Sequence, residues 1–201
     1  MSYAIIGFGK IGSVIAQAFA RQGIEVTVAS RRHPEALAPL AAQIGPTVFA
    51  RPMADALGAD VIILAVPFKA YLEVVRVAKS WQGKLVIDAM NAFGVSPEDL
   101  GGLPSTAAVA TAMPGATLVK AFNHLAAETL ADEPKAHGGR RVVFVSGDDD
   151  AASGRVADLV GQLGFAPVEL GKVSEGGMLI QARGSTWGQL IFQDFIKFGA
   201  D

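Results

Sequence analysis

Three glycines near the start of the chain have the spacing Gly7-x-Gly9-x-x-Gly12, which can bring the backbone close to phosphate groups. The short apolar run Tyr3–Ile6 precedes them and predicts a buried strand, and apolar residues at helical spacing follow them. In this setting Gly7 permits a tight turn, Gly9 admits a pyrophosphate, and Gly12 lets the helix lie close to the strand. The free N–H groups of the helix N-terminus favour phosphate. The alternative is a glycine-rich turn that binds nothing, but the order of strand, turn and helix favours a dinucleotide site.

The second predicted strand, residues 25–29, ends in Ser30-Arg31-Arg32, at the position where dinucleotide sites distinguish NAD from NADP. An NAD site has Asp or Glu here, which accepts hydrogen bonds from the ribose 2′-hydroxyl. A carboxylate would repel a 2′-phosphate, whereas a hydroxyl and two guanidinium groups would bind it. The alternative is a solvated basic turn. Because these residues follow the glycines by about 20 positions, the sequence favours a phosphate site and predicts NADP(H).

Three later predicted strands end at Ala65-Val66-Pro67, at Asn91 and at Asn123-His124. Residues 61–66 are all apolar, as in a central parallel strand covered on both faces. Ligands of such sheets bind outside the carboxyl ends of the strands, so we expect these ends to form one crevice. Asn123 and His124 are the candidate catalytic residues, because their side chains could donate hydrogen bonds to a small molecule bound in this crevice. The alternative is that Asn123 satisfies backbone groups at the strand end.

Three adjacent carboxylates, Asp148, Asp149 and Asp150, raise the question of a metal site. They precede a predicted helix and are better explained as a turn and N-cap facing the helix dipole, so no metal is predicted. No Tyr-x-x-x-Lys pair accompanies the glycines, and both tyrosines lie in core-like positions. Hydride transfer between two stacked rings needs no general acid of the kind that a ketone reductase uses.

The composition is that of a globular protein: of 201 residues, 51% are hydrophobic and 18% are charged. A formal charge of −2 argues against a nucleic acid held by bulk electrostatics. The chain has no cysteine, which excludes disulfides and zinc–sulfur sites and fits a cytoplasmic protein. No apolar run of about 18 residues predicts a membrane span. The first strand also begins too early to leave room for a signal peptide.

Strands alternate with helices along the chain, which predicts an α/β fold with a doubly wound, mainly parallel sheet of the Rossmann type. No repeat, charge block or linker divides the chain, so we expect residues 1–201 to form a single domain. The loop over residues 92–103 is long enough to suggest a lid. Residues 173–198 are expected to be mostly helical, with an interruption around Gly184 and Ser185.

An aromatic stripe at helical spacing motivates a prediction about assembly. Its members are Trp187, Ile191, Phe195 and Phe198. Core packing or a homodimer seam is the expected use of the stripe, and a surface for another partner is the alternative. We predict a homodimer in which residues 186–198 contribute to the interface.

With these residues in view, the whole chain resembles the family of F420-dependent NADP oxidoreductases, also called NADPH-dependent F420 reductases. The resemblance rests on six segments: Gly7-Phe8-Gly9-Lys10-Ile11-Gly12, Ala29–Arg32, Ala65–Pro67, Val86–Asn91, Lys120–Asn123 and Ser146–Asp150. It implies that Gly9, Lys10 and Ile11 meet the pyrophosphate, and that Ser30, Arg31 and Arg32 hold the 2′-phosphate. It also implies that the backbones of Ala65, Val66, Pro67 and Asn91 line the path to the nicotinamide.

The resemblance implies an oxidoreductase that transfers a hydride between NADPH and F420 or a flavin-type acceptor. Archaeal members have a histidine where this chain has Asn123, and here a histidine comes one residue later, at His124. The segment from Gln181 to Gly188 is only loosely alike. FMN, FAD or another acceptor is therefore an alternative to F420. The NADPH-binding domain of membrane ferric reductases belongs to the same wider group, so a flavin or ferric reductase is a further alternative, as is a non-catalytic NADPH-binding redox sensor.

Overall fold

The computed structural model describes residues 1–182 and 189–199, and strands and helices alternate through most of them. The strands are β1 (Tyr3–Ile6), β2 (Val26–Ala29), β3 (Val48–Ala50), β4 (Val61–Leu64), β5 (Leu85–Asp88), β6 (Thr117–Ala121), β7 (Lys135–Ala136), β8 (Gly139–Gly147), β9 (Ala166–Glu169) and β10 (Ile196–Lys197). The α-helices are α1 (Lys10–Arg21), α2 (Pro34–Ile44), α3 (Met53–Ala56), α4 (Tyr71–Val77), α5 (Ser105–Thr111), α6 (Ala127–Ala131) and α7 (Asp150–Gln162), and 3-10 turns span Phe68–Ala70 and Gly176–Leu179.

The central sheet has the order β10-β8-β6-β5-β4-β1-β2-β3, with β7 and β9 also paired to β8. Neighbouring strands from β3 to β6 are parallel, so their carboxyl ends lie along one edge of the sheet. The order reverses between β1 and β4, because the chain continues from β1 towards β2 and β3 and returns to the other side of β1. This is the mainly parallel, doubly wound Rossmann-type sheet that the alternation of strands and helices predicts, and its ligand crevice is expected at the reversal.

Helices cover both faces of the sheet, which explains why β4 is apolar at every position. In β4, Ile63 faces the cluster formed with α1, α2 and α7, whereas Ile62 and Leu64 face the cluster formed with α4 and α5. All four residues of β4 are buried. A strand covered on both faces shows no alternation of polar and apolar residues.

The antiparallel extension begins at β8, which runs antiparallel to β6 and parallel to β9. β7 and β8 form a hairpin through His137 and Gly138, which have φ angles of 51° and 82°. Positive φ at both central residues is the geometry of a type I′ turn, which suits the twist of a two-residue hairpin. In the sequence, Gly138 is the residue that could indicate this turn.

The expected C-terminal helix is not found among the described residues. Gly176–Leu179 forms a 3-10 turn, and Ile196–Lys197 forms β10, which pairs antiparallel with β8. Ile191 is buried, and the Phe195 ring lies 5.7 Å from that of Phe144. Phe195 therefore packs on the antiparallel extension, while Phe198 is exposed, and the described members form no helical stripe. Trp187 lies outside the described residues.

This correction removes the motive for the predicted homodimer seam, and the oligomeric state stays a prediction that sedimentation can test. Pro104 occupies the N-cap position of α5. No helix of the described residues combines the length and apolar character that a membrane span requires.

Candidate functional site

A cleft of about 570 Å³ opens at the carboxyl ends of β1, β2 and β4, where the strand order reverses. It is lined by Gly7, Phe8, Gly9, Ser30, Arg31, Arg32, Met53, Ala65, Val66, Pro67, Ala70, Glu73, Val74 and Val77. Most of the predicted nucleotide residues therefore line one cleft. A second hollow of about 440 Å³ lies at the β7–β8 hairpin and contains none of the predicted site residues.

Two of the three glycines are required by close backbone packing. A Cβ on Gly7 would lie 2.3 Å from the Ala65 carbonyl oxygen, and one on Gly12 would lie 1.8 Å from the Gly7 carbonyl oxygen. Gly7 also has a φ of 104°, which residues with a side chain rarely adopt. Gly9 is different, because a Cβ there would meet nothing within 4 Å. The backbone at Gly9 thus borders free space beside the N-terminus of α1, where a ligand can approach closely.

Lys10 and Ile11 begin α1 directly after Gly9, which occupies the N-cap position and offers no side-chain cap. The first N–H groups of a helix have no partner within the helix. They also carry the positive end of the helix dipole, so this point of the cleft favours an anion. Lys10 is exposed at the same terminus and adds a positive charge.

The residues after β2 supply cations and a hydroxyl to the same cleft. The Arg32 guanidinium donates a hydrogen bond of 2.7 Å from Nη2 to the Phe8 carbonyl oxygen, and the Arg32 backbone N–H donates one of 3.1 Å to Ser30 Oγ. The side chain of Arg32 is therefore held over the glycine loop. Arg31 is exposed at the cleft. No Asp or Glu stands in the segment 30–32 between the strand end and His33.

The ends of β1, β4 and β5 follow one another across the sheet. The Ala65 N–H donates to the Ile6 carbonyl at 2.8 Å, and the Ala89 N–H donates to the Leu64 carbonyl at 3.1 Å. Ala65, Val66 and Pro67 line the cleft as expected, whereas Asn91 lies outside the cleft lining. The floor of the cleft therefore continues along the edge of the sheet in the direction of Asn91.

Asn91 and Asn123 join the ends of β5 and β6 through their side chains. Asn91 Nδ2 donates to the Asn123 carbonyl at 2.8 Å, and Asn123 Nδ2 donates to Asn91 Oδ1 at 3.1 Å and to the Ile180 carbonyl at 2.7 Å. The Asn123 side chain is buried. The backbone carbonyl that this side chain satisfies belongs to Ile180, directly after the 3-10 turn Gly176–Leu179, and not to a strand end. The predicted contact of Asn123 with an acceptor stays a prediction.

His124 is completely buried, and its ring makes an edge contact with Phe144, with 4.7 Å between centroids. Within the described residues, neither ring nitrogen has a hydrogen-bond partner of good geometry. Burial lowers the pKa of His124 to about 4, against the opposing effects of the Asp194 carboxylate and the Val142 backbone. The ring is therefore neutral at neutral pH and faces the interior. A hydrogen bond from His124 to an acceptor likewise stays a prediction, and it would require this ring to leave its place.

A buried ion pair supports the same strand ends from inside. Lys120 Nζ lies 3.1 Å from Asp88 Oδ2 and also donates to the Met90 carbonyl at 3.1 Å. Asp88 Oδ1 accepts from the Met90 N–H at 2.9 Å, and Asp88 Oδ2 accepts from the Thr106 hydroxyl at 2.6 Å. Both charged side chains are almost completely buried. The Asp88 carboxylate is therefore part of the support of the β5 turn, and it does not reach the cleft.

The three adjacent carboxylates take structural roles. Asp149 caps α7 by accepting from the Ala152 N–H at 2.8 Å, Asp150 begins the helix, and Asp148 accepts from the Val173 N–H at 3.1 Å. Within the described parts of the chain, no group of three or more His, Asp or Glu side chains is arranged to hold a metal ion.

Sequence reasoning missed the cleft residues that come from α3, α4 and the 3-10 turn before α4. They are Met53, Ala70, Glu73, Val74 and Val77. These residues reach the cleft because the helices fold back over the carboxyl ends of β1 and β4, a tertiary arrangement without a local motif. Apolar residues at helical spacing indicate the helix α4 but not its position beside the cleft.

Residues 2–92 match the model of a family described as NADP oxidoreductase, coenzyme F420-dependent. The matched segment includes the glycine loop, the basic turn after β2 and the ends of β4 and β5. Residues 2–92 are therefore similar to this family of NADP oxidoreductases. A candidate F420-dependent NADP-reductase from Arthrobacter sp. FB24 has 27% identity to the chain and a TM-score of 0.70, with 87% of this chain and 86% of that one covered.

Two further relatives extend the similarity beyond residue 92. A hypothetical protein from Sinorhizobium meliloti is 41% identical, with a TM-score of 0.89 over 98% of this chain and 96% of that one. The metalloreductase STEAP3 of Rattus norvegicus is 29% identical over 171 residues, which are 85% of this chain. The chain spans about a third of the length of that curated relative, 34%. The similarity to an NADP-reductase therefore extends along most of the chain.

Proposed function

We propose that this protein is an oxidoreductase that binds NADPH in the cleft at β1, β2 and β4 and passes a hydride to a deazaflavin or flavin-type acceptor. One observation carries the nucleotide part of the proposal. Free space borders the Gly9 backbone, and Ser30, Arg31 and Arg32 lie in the same cleft without a neighbouring carboxylate in that turn. An anionic, phosphate-rich ligand fits this arrangement of donors and cations.

Residues at the end of β2 and at the N-terminus of α1 orient the nucleotide in the cleft. Ser30, Arg31 and Arg32, at the end of β2, bind the 2′-phosphate by charge-assisted hydrogen bonds. The backbone of Gly9, Lys10 and Ile11, at the N-terminus of α1, binds the pyrophosphate. The nicotinamide half then extends over Ala65, Val66 and Pro67 towards Asn91. The hydrogen bond from Arg32 to the Phe8 carbonyl supports this role, since it pre-orders one guanidinium beside the pyrophosphate loop.

Bound NADPH would supply a hydride, one proton with two electrons, to the acceptor ring and become NADP⁺, and Ala65, Val66 and Pro67 would hold its nicotinamide half. The protein has to hold the two rings with reacting atoms about 3–3.5 Å apart and exclude water from between them. The Asn91–Asn123 pair can contribute by fixing the ends of β5 and β6 beside the nicotinamide. Deazaflavin specificity is the finer part of the proposal, and the family description and the Arthrobacter relative support it.

The proposed role of the basic turn is tested with the double variant Arg31→Ala/Arg32→Ala, by measuring the dissociation constants of NADPH and NADH. The affinity for NADPH should fall by roughly tenfold or more, because two charge-assisted contacts are lost, while NADH affinity stays almost unchanged. Arg140→Ala, on the β7–β8 hairpin, is the matched control and should alter neither affinity. An equal loss for both nucleotides would contradict the assignment of the turn.

The acceptor is tested by following NADPH oxidation with F420, FMN, FAD and a ferric chelate in parallel. Turnover with F420 alone supports the deazaflavin proposal, and turnover with a flavin supports the wider acceptor class. The similarity to the metalloreductase STEAP3 motivates the ferric arm and a flavin or ferric reductase as the second candidate function. Tight NADPH binding with no turnover of any acceptor would contradict an enzyme and favour a redox sensor.

A further inference from the structure

Two exposed phenylalanines lie together next to the ends of β5 and β6. The rings of Phe93 and Phe192 are 6.4 Å apart between centroids and inclined by 26°, and the two residues are 45% and 54% exposed. Single exposed apolar residues are common on protein surfaces. A nearly parallel aromatic pair, contributed by segments about a hundred residues apart, instead forms a shared surface. We call this pair the aromatic platform.

The backbone presents both rings in a defined way. Phe93 and Gly94 are the central residues of a turn closed by the Val95 N–H donating to the Ala92 carbonyl, and Gly94 has a φ of 72°. Ala92 is buried, so the turn is anchored and the Phe93 ring projects from it. The platform is therefore attached directly to the strand end that carries Asn91.

Phe192 is held in an unusual conformation. Its φ is 61°, in the left-handed region that bulky residues rarely adopt. Its N–H donates to the His124 carbonyl, immediately after β6, and Ile191 beside it is buried. Phe122, at the end of the same strand, also has a positive φ of 62°. Such conformations persist only where the surroundings impose them, and they concentrate at ligand sites.

The position of the platform relative to the cleft identifies its occupant. If the 2′-phosphate lies at the end of β2 and the pyrophosphate at the end of β1, the nicotinamide points past β4 towards β5. The next strand ends along the edge are those of β5 and β6, which carry Phe93 and, through His124, Phe192. A second ring that receives a hydride has to stack at this place.

We propose that the aromatic platform binds the hydride acceptor by stacking against its planar ring system. The ligand class is a fused tricyclic heteroaromatic, an isoalloxazine or its deaza analogue. The platform matches it because the exposed aromatic faces of Phe93 and Phe192 can stack on a planar ring, and because covering these faces removes apolar surface from water. This inference rests on the proposed function, but it concerns the acceptor side alone and leaves the nucleotide cleft unchanged.

The test measures the binding of FMN and of F420 to Phe93→Ala, Phe192→Ala and the double variant, in the absence of NADPH, by ligand fluorescence. We expect the dissociation constant to rise roughly tenfold in the double variant, with a parallel rise of the acceptor KM and an unchanged dissociation constant for NADPH. Phe49→Ala is the matched control, since Phe49 is 38% exposed on β3 at the opposite edge of the sheet.

A second substitution keeps the test independent of protein stability. Phe93→Trp preserves a stacking ring, so the affinity for FMN should remain near that of the native protein, and the stacked indole should quench flavin fluorescence. Phe93→Leu retains apolar area without an aromatic face and should bind more weakly than Phe93→Trp. Equal binding by Phe93→Trp and Phe93→Leu, without quenching, would overturn the stacking.

The remaining outcomes separate this inference from the proposed function. If the native protein turns over an acceptor and the double variant keeps its KM, the platform assignment is wrong and the function stands. If FMN or F420 binds in a platform-dependent way without hydride transfer, the platform stands and the proposed function fails. If the double variant converts a dimer into a monomer by sedimentation while acceptor binding is unchanged, the platform is a subunit interface and the inference is overturned.

Discussion

The two halves of the strand-end edge are built by different means. At the ends of β1 and β2, the cleft is shaped by residues close together in the sequence: a glycine loop, the first turn of α1 and a basic turn. At the ends of β5 and β6, the structure depends on buried polar side chains that join distant segments, such as the ion pair of Asp88 with Lys120 and the amide pair of Asn91 with Asn123. The first half is a local motif, whereas the second is a network.

This difference has an energetic meaning. The glycine loop requires the absence of side chains, because two of its glycines lie against backbone carbonyls at distances that no Cβ can occupy. The network requires partners, because a buried charge or amide without its partner loses the compensation for its desolvation. Substitutions that add volume should therefore destabilise the first half. Substitutions that remove a hydrogen-bond or charge partner should destabilise the second half.

The largest expected effect comes from breaking the ion pair in the network. Lys120→Met removes the cation and leaves the Asp88 carboxylate buried, so the free energy of unfolding should fall by about 3–5 kcal/mol. Urea unfolding followed by circular dichroism measures this loss. The double variant Asp88→Asn/Lys120→Met removes both charges and should recover part of the lost free energy of unfolding. A Lys120→Met protein as stable as the native one would show that the pair is not a structural requirement.

The corresponding break in the glycine loop is Gly12→Ala. The added Cβ would lie 1.8 Å from the Gly7 carbonyl oxygen, so α1 has to move away from β1. We expect the free energy of unfolding to fall by about 3 kcal/mol, which is at the upper end of the range for overpacked cores. Gly154→Ala, in α7 with nothing within 4 Å of the new Cβ, is the control and should instead stabilise the protein by about 0.5–1 kcal/mol. Similar urea midpoints for the two variants would contradict the packing argument.

His124 gives the network half a pH dependence. Folding lowers the pKa of His124 from its ordinary value of 6.5 to about 4, so the unfolded chain binds more protons between these values. Stability contributed by the neutral ring is complete above pH 6.5, falls as the pH is lowered towards 4, and falls no further below that. The loss of unfolding free energy attributable to this group should be about 3 kcal/mol.

His124→Leu removes the titrating group and keeps an apolar side chain next to Phe144. The unfolding free energy of the native protein minus that of this variant should fall steadily as the pH falls from 6.5 to 4. Chemical denaturation at several pH values measures it, and His137→Ala, on the hairpin, serves as a control with an unchanged profile. A constant difference across the range would mean that His124 titrates normally in the folded protein.

The same contrast explains which features could be predicted from the sequence. The strands from β1 to β6 and the glycine cleft follow from runs of apolar residues and from local turn chemistry, which a short stretch of sequence contains in full. The prediction that residues 173–198 are mostly helical was wrong because helical spacing does not distinguish a helix face from residues that pack separately. Ile191 is buried and Phe195 packs on Phe144, a residue that lies far away in the sequence.

The site divides in the same way. The lining of the cleft by Ser30, Arg31 and Arg32 could be predicted, because these residues follow a single strand end at a known separation in sequence from the glycines. The burial of Asn123 and His124 could not, because it depends on Ile180, Phe144 and the segment after residue 189. The aromatic platform was missed for the same reason, since Phe93 and Phe192 come together only in the folded chain.

The smallest expected effect on stability is that of Gly9→Ala, and it separates folding from ligand binding within the glycine loop. A Cβ at Gly9 meets nothing within 4 Å, and the residue has a φ of −95°, which alanine adopts without strain. Gly9 is the N-cap of α1 without a side-chain cap, so the change to alanine should cost at most about 1 kcal/mol.

The affinity for NADPH should nevertheless fall strongly in Gly9→Ala, because the new methyl group occupies the space through which a pyrophosphate approaches the backbone. Isothermal titration with NADPH and urea unfolding of the same preparation measure the two effects together. Gly12→Ala should lose stability, whereas Gly9→Ala should lose NADPH affinity. The two variants therefore separate folding from nucleotide binding. If Gly9→Ala keeps both its stability and its NADPH affinity, the free space beside Gly9 is not the pyrophosphate site, and the nucleotide assignment of the cleft fails with it.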